Sequence, residues 1–432
     1  MSTHEPVESL DALTRDDPAW LAQRRRDAWS RKLELPYPTG REETWRYTDV
    51  ERLRDERFPH PDLSEAGLPQ SLGGTWKALA QDAGASAVLV NGAPAEIQVG
   101  PDLARQGVRL LPLSRAAREH PALVQAHLGR LVGPKDVFTA RSLALHRGGL
   151  LLHVPAGVQA ELPVRWLHGL GTPGGAVETR ALVILERDAS LHLEDHLRSD
   201  ALGAPTRIQP VVELFLAPGA RLTYVGLQTW GAGVHQLAHI HAHLDRDAHF
   251  TSLLGGFGAD FARTRHRVIL AGPGAEADLL GVYFPTGEQH HELWTEQQHL
   301  APHTRSDLLY KGALGGAGRA VYYGTIQVGP EARRTDAYQA NRNLLLSEAS
   351  RVDTNPQLEI ETNDVRCTHG ASVGQVDDAQ LFYLMSRGLP RPEAERLLVV
   401  GFFSEVLSRL GAAAPAHEDR FTALIREKLN TL

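Results

Sequence analysis

Residues 211–222 read VVELFLAPGARL: an apolar strand, a compact turn at Pro218, and the start of a second strand. The same signature recurs in VPAGVQ at Pro155, ERDASL at Asp188, DRDAHF at Asp247, GPGAEA at Pro273 and GPEARR at Pro330. The steps from Asp188 to Pro218, Asp247 and Pro273 each fall within a few residues of thirty, and the step on to Pro330 is about twice as long. A further copy is therefore expected near Pro302, inside LAPHTRSDLL, and another at Asn363-Asp364. From about Gly148 period-two alternation replaces helical spacing, and no convincing helical run occurs between Gly148 and Leu358. Short strands at a fixed period mark a solenoid. A sandwich would space its strands more closely, and a propeller blade needs about forty residues. The expectation is a mainly β fold, a parallel β-helix whose inward side chains stack from rung to rung over one continuous core.

The 432-residue chain carries 45 Lys and Arg against 52 Asp and Glu, a formal net charge of −7, with both signs mixed along its length. That balance argues against a non-specific nucleic-acid binder. A single cysteine excludes an internal disulfide framework. The opening MSTHEPVESLDALTRDD is polar and acidic, unlike a signal peptide, and no run of eighteen apolar residues offers a membrane span. A soluble cytoplasmic protein without membrane or nucleic-acid partners is expected. No GxxxxGK[ST] motif occurs, so the chain is not expected to hydrolyse nucleotide by itself.

Residues 1–135 read as a mostly helical N-terminal region, 136–374 as the β-helix and 375–432 as a helical C-terminal region. A helix is expected over Asp16–Leu33, with Asp16 or Asp17 as cap and Pro18 in the first turn. Trp20, Leu21, Ala28 and Trp29 supply its apolar surface, and Arg24, Arg25 and Arg26 lie on more polar faces. Arg115–Val132 reads as another helix, and REETWRYTD (41–49) as a loop that Trp45 and Tyr47 anchor by packing. Towards the C-terminus, Asp377 or Asp378 caps a helix that Gly388 stops. Pro392 opens a second helix, apolar over more than a narrow stripe through Leu410, and Glu418–Leu432 forms a third.

Candidate chemistry centres on residues 353–374, DTNPQLEIETNDVRCTHGASVG. Cys367 and His369 stand two residues apart, so on a strand their side chains leave the same face. A thiolate and an imidazole make half of a zinc or iron site, which takes about four ligands. The remaining ligands must come from another chain or from His and carboxylate groups. The alternative is a buried structural cysteine beside a hydrogen-bonded histidine. In HIHAHL, Ile240, Ala242 and Leu244 claim the core, so His239, His241 and His243 are expected outside, structural or solvated rather than metal-bound. His290, His291, His299 and His303 form a second loose group, in which Glu292 and Glu296 could bind a cation or cap backbone. No GxSxG elbow supports a hydrolase. A polysaccharide-cleaving solenoid would need a carboxylate-lined cleft, for which Glu359, Glu361 and Arg366 are the group at hand near Cys367.

NPQLEIETNDVRCTHGASVGQVDDAQLFYLMSRGL, with PRPEAERLLVVGFFSEVL after it and REETWRYTD before it, resembles the SufB/SufD family of iron–sulfur cluster assembly proteins, on its SufD side. The resemblance covers essentially the whole chain and is weakest before Pro36. It implies a right-handed parallel β-helix between helical ends, and a non-enzymatic scaffold subunit working with SufB and the ATPase SufC. It implies that His369, with Cys367 nearby, contributes to a transient iron–sulfur cluster at the SufB interface, none being held stably by the isolated chain. It places SufC on the C-terminal helices around Tyr383–Phe403. A purely structural subunit without cluster ligation is the alternative, and a homodimer of the isolated chain stays open.

Overall fold

The computed structural model describes residues 5–58, 69–171, 174–411 and 414–432. Two long sheets run side by side through the molecule. One stacks, from its start, Ala93–Val99, Ala85–Val90, Val164–Gly169, Ser190–Arg198, Arg221–Thr229, His249–Gly256, Glu276–Tyr283, Arg305–Leu314, Thr335–Leu345 and Val365–Gln375. The other stacks Arg109–Pro112, Gly148–Val154, Gly175–Leu185, Thr206–Leu216, Val234–Leu244, Phe261–Leu270, His290–His299, Arg319–Val328 and Arg351–Ile360. The chain alternates between them, so each rung holds one strand of each sheet. Every pairing is parallel except the two opening ones, Ala85–Val90 with Ala93–Val99 and Arg109–Pro112 with Gly148–Val154. The result is a right-handed parallel β-solenoid of about eight turns, flanked by N-terminal and C-terminal helical regions.

The repeated turn sets the period. Its second central residue adopts positive φ in rung after rung: Gly157, Asp188, Gly219, Asp247, Gly274, His303 and Arg334. That conformation belongs to a type II turn, which explains the prolines just before Gly219, Gly274 and His303. The turn amides also bond between rungs: Asp188 N–H donates to Pro218 O at 3.0 Å, Gly219 N–H to Arg246 O at 2.9 Å and Asp247 N–H to Pro273 O at 3.0 Å. The copy expected at Pro302 is present, and the Arg334 amide continues the column to Asp364 O. Fully buried alanines close successive corners at 189, 220, 248 and 275. Between corners, inward residues such as Leu193, Leu214, Tyr224, Ala242, Phe250 and Val268 form one continuous core.

The helical regions lie along the outside. The N-terminal part covers the outward face of the second sheet, so charged outward side chains there are buried in pairs. Arg180 meets Glu213 at 3.2 Å, Arg141 meets Glu178 at 2.6 Å, and Arg263 bonds to Glu292. Asp55 sits among Arg141, Arg207 and Lys32; burial would raise its pKa, but the three cations hold it far below the carboxylate range. REETWRYTD packs as expected: Trp45 is buried against Phe138, with the Arg263 guanidinium 4.1 Å from its ring centre.

Three local expectations change. The helix Ala19–Glu34 has Pro18 at its cap and no side-chain cap, because Asp17 turns to Arg25 at 2.7 Å. Arg25 is therefore buried rather than on a polar face, and it also donates to the carbonyls of Ala144 and His146. The stretch 115–132 is broken into Leu113–Glu119 and Pro121–His127, since Pro121 lacks the N–H that would continue the first helix.

At the other end, Asp377 caps Asp378–Ser386 by accepting from the amides of Ala379 and Gln380. The helix Arg391–Ser408 lays Val399, Phe403, Val406 and Leu407 on the first sheet, with Leu227, Leu280 and Phe284 beneath. The last helix, Ala414–Leu429, crosses several rungs. Arg420 reaches His196 and Glu194, Phe421 packs against Phe257, and Lys428 donates to Thr286 and Gln289. Among the described residues, no helix is long and apolar enough to cross a membrane.

Candidate functional site: the open end of the solenoid

The last rung is formed by Arg351–Ile360 and Val365–Gln375. Pairing with the previous rung identifies its inward residues. Leu358 and Ile360 stand in register with Ile326 and Val328, and Cys367 and His369 with Ala337 and Gln339. One rung earlier these positions are closed: Ile326 and Val328 are 0% exposed and Gln339 is fully buried. On the last rung the same face is bare, with Leu358 36%, Ile360 41% and Val373 46% exposed. Both terminal strands therefore present an apolar inner face and a free backbone edge, the arrangement that pairs with another chain.

Cys367 and His369 do share the inward face of this strand. Cys367 is half-buried against Ile326, Val328, Ala332 and Ala337. Burial, then the charge of Asp336, pushes its thiol pKa up, away from the thiolate that metals bind. His369 is exposed, and Gly370 beside it has open space around it. No His, Glu or Asp of this chain gathers with Cys367 into a group of three ligands among the described residues.

A second exposed apolar area lies on the C-terminal helices. Phe382, Tyr383, Met385 and Leu397 are 73%, 56%, 41% and 48% exposed, although the opposite face of Arg391–Ser408 is buried. Tyr383, Leu384 and Leu398 line a shallow groove there.

The histidines of HIHAHL point outward, as Ile240, Ala242 and Leu244 occupy the core. They are not all solvated. His239 and His241 lie under the segment 131–136 and line a cavity of about 230 Å³ with Arg265, Trp294 and Tyr323. Burial first, then neighbouring charges, pushes both well below the ordinary imidazole value. His291 donates from Nε2 to Gly258 O, and His299 bonds to Thr304 and Ser306 inside the coil. His303 is a turn residue, and Glu292 is the buried partner of Arg263 and Thr48.

One group of possible metal ligands escapes sequence reading. His192, Glu194 and His417 bring their donor atoms within 4.8 Å of one another. The outward alternation in HLE at 192–194 was a signal, but nothing in sequence links it to His417 in the last helix, 225 residues away.

Residues 7–166 match the family model described as SufBD protein N-terminal region, and residues 169–402 match the one described as SUF system FeS cluster assembly, SufBD core domain. The chain belongs to the SufB/SufD family of iron–sulfur cluster assembly proteins. A SufBD family protein of Mycobacterium tuberculosis (strain ATCC 25618 / H37Rv) is 32% identical over 404 residues, 91% of this chain and 89% of that protein. SufD of Bacillus subtilis (strain 168) is 28% identical over 403 residues, 91% of each chain. SufB of the same organism is 27% identical over 310 residues, 72% of this chain and 67% of that protein. Membership of this family of scaffold proteins gives the chain a general assembly role in the SUF system, and it is not an enzyme.

Proposed function

We propose that this chain is an interaction subunit of the SUF scaffold, on the SufD side of the family, and that its bare last rung is the seat of a SufB-type partner. The observation that carries this is the contrast between rungs: Ile326 and Val328 are fully buried, and their register partners Leu358 and Ile360 are exposed. A partner solenoid end supplies the missing cover. The apolar surface around Phe382 and Tyr383 receives the ATPase SufC. The longer match to SufD than to SufB of B. subtilis supports the SufD assignment.

A second reading adds direct cluster contact. It rests on His369, an exposed imidazole inside the proposed seat with open space at Gly370. The partner would supply the thiolates, and Cys367, half-buried with a raised pKa, contributes less. The transient cluster is then shared cargo rather than a resident group of the isolated chain.

Co-purification with SufB and SufC tests both readings. Ile360→Asp and Val373→Asp should abolish the SufB contact without altering the circular dichroism of the free chain. Wild-type affinity in both well-folded variants overturns the seat. His369→Ala should leave the complex intact; iron and acid-labile sulfide per complex then separate the readings. Normal cluster content supports the purely structural subunit, and a sharp loss in an intact complex supports ligation by His369.

A further inference from the structure

We propose that His192, Glu194 and His417 form a binding site for a divalent transition metal, zinc in the first instance, which fastens the last helix to the flank of the solenoid. The site is remote from the open rung. His192 and Glu194 project outward from Ser190–Arg198, and His417 reaches them from Ala414–Leu429. The two imidazole Nε2 atoms face each other at 3.2 Å, and all three donor atoms lie within 4.8 Å. A tetrahedral zinc with Zn–N bonds of about 2.0–2.1 Å sets neighbouring ligand nitrogens about 3.3–3.4 Å apart. The imidazole pair already has that spacing, and a small rotation brings in the carboxylate.

The protonation states suit a ligand set. Burial, the largest influence, pushes both His192 and His417 below the ordinary imidazole value. Facing nitrogens of two neutral rings share at most one proton; a cation accepts both lone pairs. His417 is 1% exposed, and its Nδ1 is buried without a hydrogen-bond partner, so nothing in the chain reserves one tautomer of this ring. Burial would raise the Glu194 pKa, but the hydrogen bond from His196 and the charge of Arg165 hold it well below the usual carboxylate range. Its oxygens meet Arg165 at 3.0 Å, Arg420 at 3.3 Å and His196 at 3.2 Å. A carboxylate has about four lone-pair sites, so capacity remains for a metal. The two arginines lower the affinity relative to an all-anionic site. Three protein ligands leave the fourth position to water.

The test uses the full chain, purified without a histidine tag and stripped with chelator. Zinc should bind with one ion per chain and raise the melting temperature. Cobalt(II), used as a spectroscopic probe, should show the intense visible bands of a four-coordinate site and be displaced by zinc. His192→Asn and His417→Asn, both polar and checked by circular dichroism, should lose the ion and the thermal shift. Cys367→Ser should keep both. Unchanged zinc and cobalt binding in the two histidine variants, or no binding by the wild type, overturns the site and leaves a hydrogen bond between two rings. Neither result depends on cluster assembly, so it stands apart from the test of the SUF role.

Discussion

Replacing Glu213 by Ala should be among the most damaging single changes outside the coil's core. Its carboxylate is fully buried and accepts from the amides of Gly129 and Leu131 at 2.8 Å, Val132 at 3.1 Å and the Arg180 guanidinium at 3.2 Å. It joins the solenoid to the loop that roofs His239 and His241. Stripping one partner from a buried ion pair costs about 3–5 kcal/mol, because the remaining charge stays desolvated. Burial already pulls the Arg180 pKa down to about 10 with Glu213 opposing it, so this guanidinium tolerates the loss poorly. Each buried amide left without an acceptor adds about 1–3 kcal/mol unless water reaches it. With water entering beside the loop, the expected total is about 4–6 kcal/mol. Glu213→Gln keeps one acceptor oxygen and should lose roughly half as much. Urea denaturation read by circular dichroism gives the magnitude, and limited proteolysis at residues 129–136 reports release of the loop. A Glu213→Ala chain within about 1 kcal/mol of wild type, with its loop still protected, would refute the reasoning.

Two further outcomes are expected. Gly219→Ala forces a side chain onto a φ of +72° and drives its Cβ into Asp188 Oδ1. It should cost about 1–2 kcal/mol for the conformation alone, and adding Asp188→Gly, which keeps the left-handed corner at 188 free of strain, should recover only the steric part in the same denaturation assay. Acid lability should begin above the carboxylate range. Burial pushes His266 and His291 to about 3 and His299 to about 4. These rings take up protons near pH 6.5 only when unfolded, so stability is complete above that pH and falls as pH drops towards 4. Melting temperatures that stay level between pH 7 and pH 5 would contradict this.

The coil was legible because its punctuation is local. A proline or aspartate turn every thirty residues reports a backbone conformation that each rung needs, so the missing copy at Pro302 could be placed by counting. Cys367 and His369 were legible as a pair for the same reason, since alternation on a strand decides which side chains share a face. What stayed hidden depends on contacts distant in sequence. His239 was legible as outward-facing, but nothing in HIHAHL says that residues 131–136 will roof it. Arg25 looked like a surface arginine, yet Asp17 and two carbonyls draw it inside. Arg180, Glu213, Arg263 and Glu292 occupy outward positions that would normally face water, and only the docked N-terminal region makes them interior. The histidine–glutamate group was beyond reach because one of its three residues, His417, belongs to the last helix.

The column of left-handed corner residues also says where this molecule can accept foreign sequence. At the corner with that column the connection grows from four residues at 186–189, 217–220 and 245–248 to five at 271–275 and 300–304 and six at 329–334, while the corner amides keep their acceptors in the next rung. Extra residues are absorbed beside the left-handed residue rather than at it, whereas a residue added inside a strand would shift its phase and turn core side chains towards solvent. The opposite corner already differs in length from rung to rung, as with 199–205, 230–233 and 284–289. That corner has left-handed residues of its own at Gly233, Ala259, Gly287 and Gly316, and Leu202 N–H bonds to Ala232 O in the next rung at 2.8 Å, so a reporter peptide placed within 199–205 must leave Leu202 in place. Length added beside such an anchor leaves the rest of the coil wound as it is.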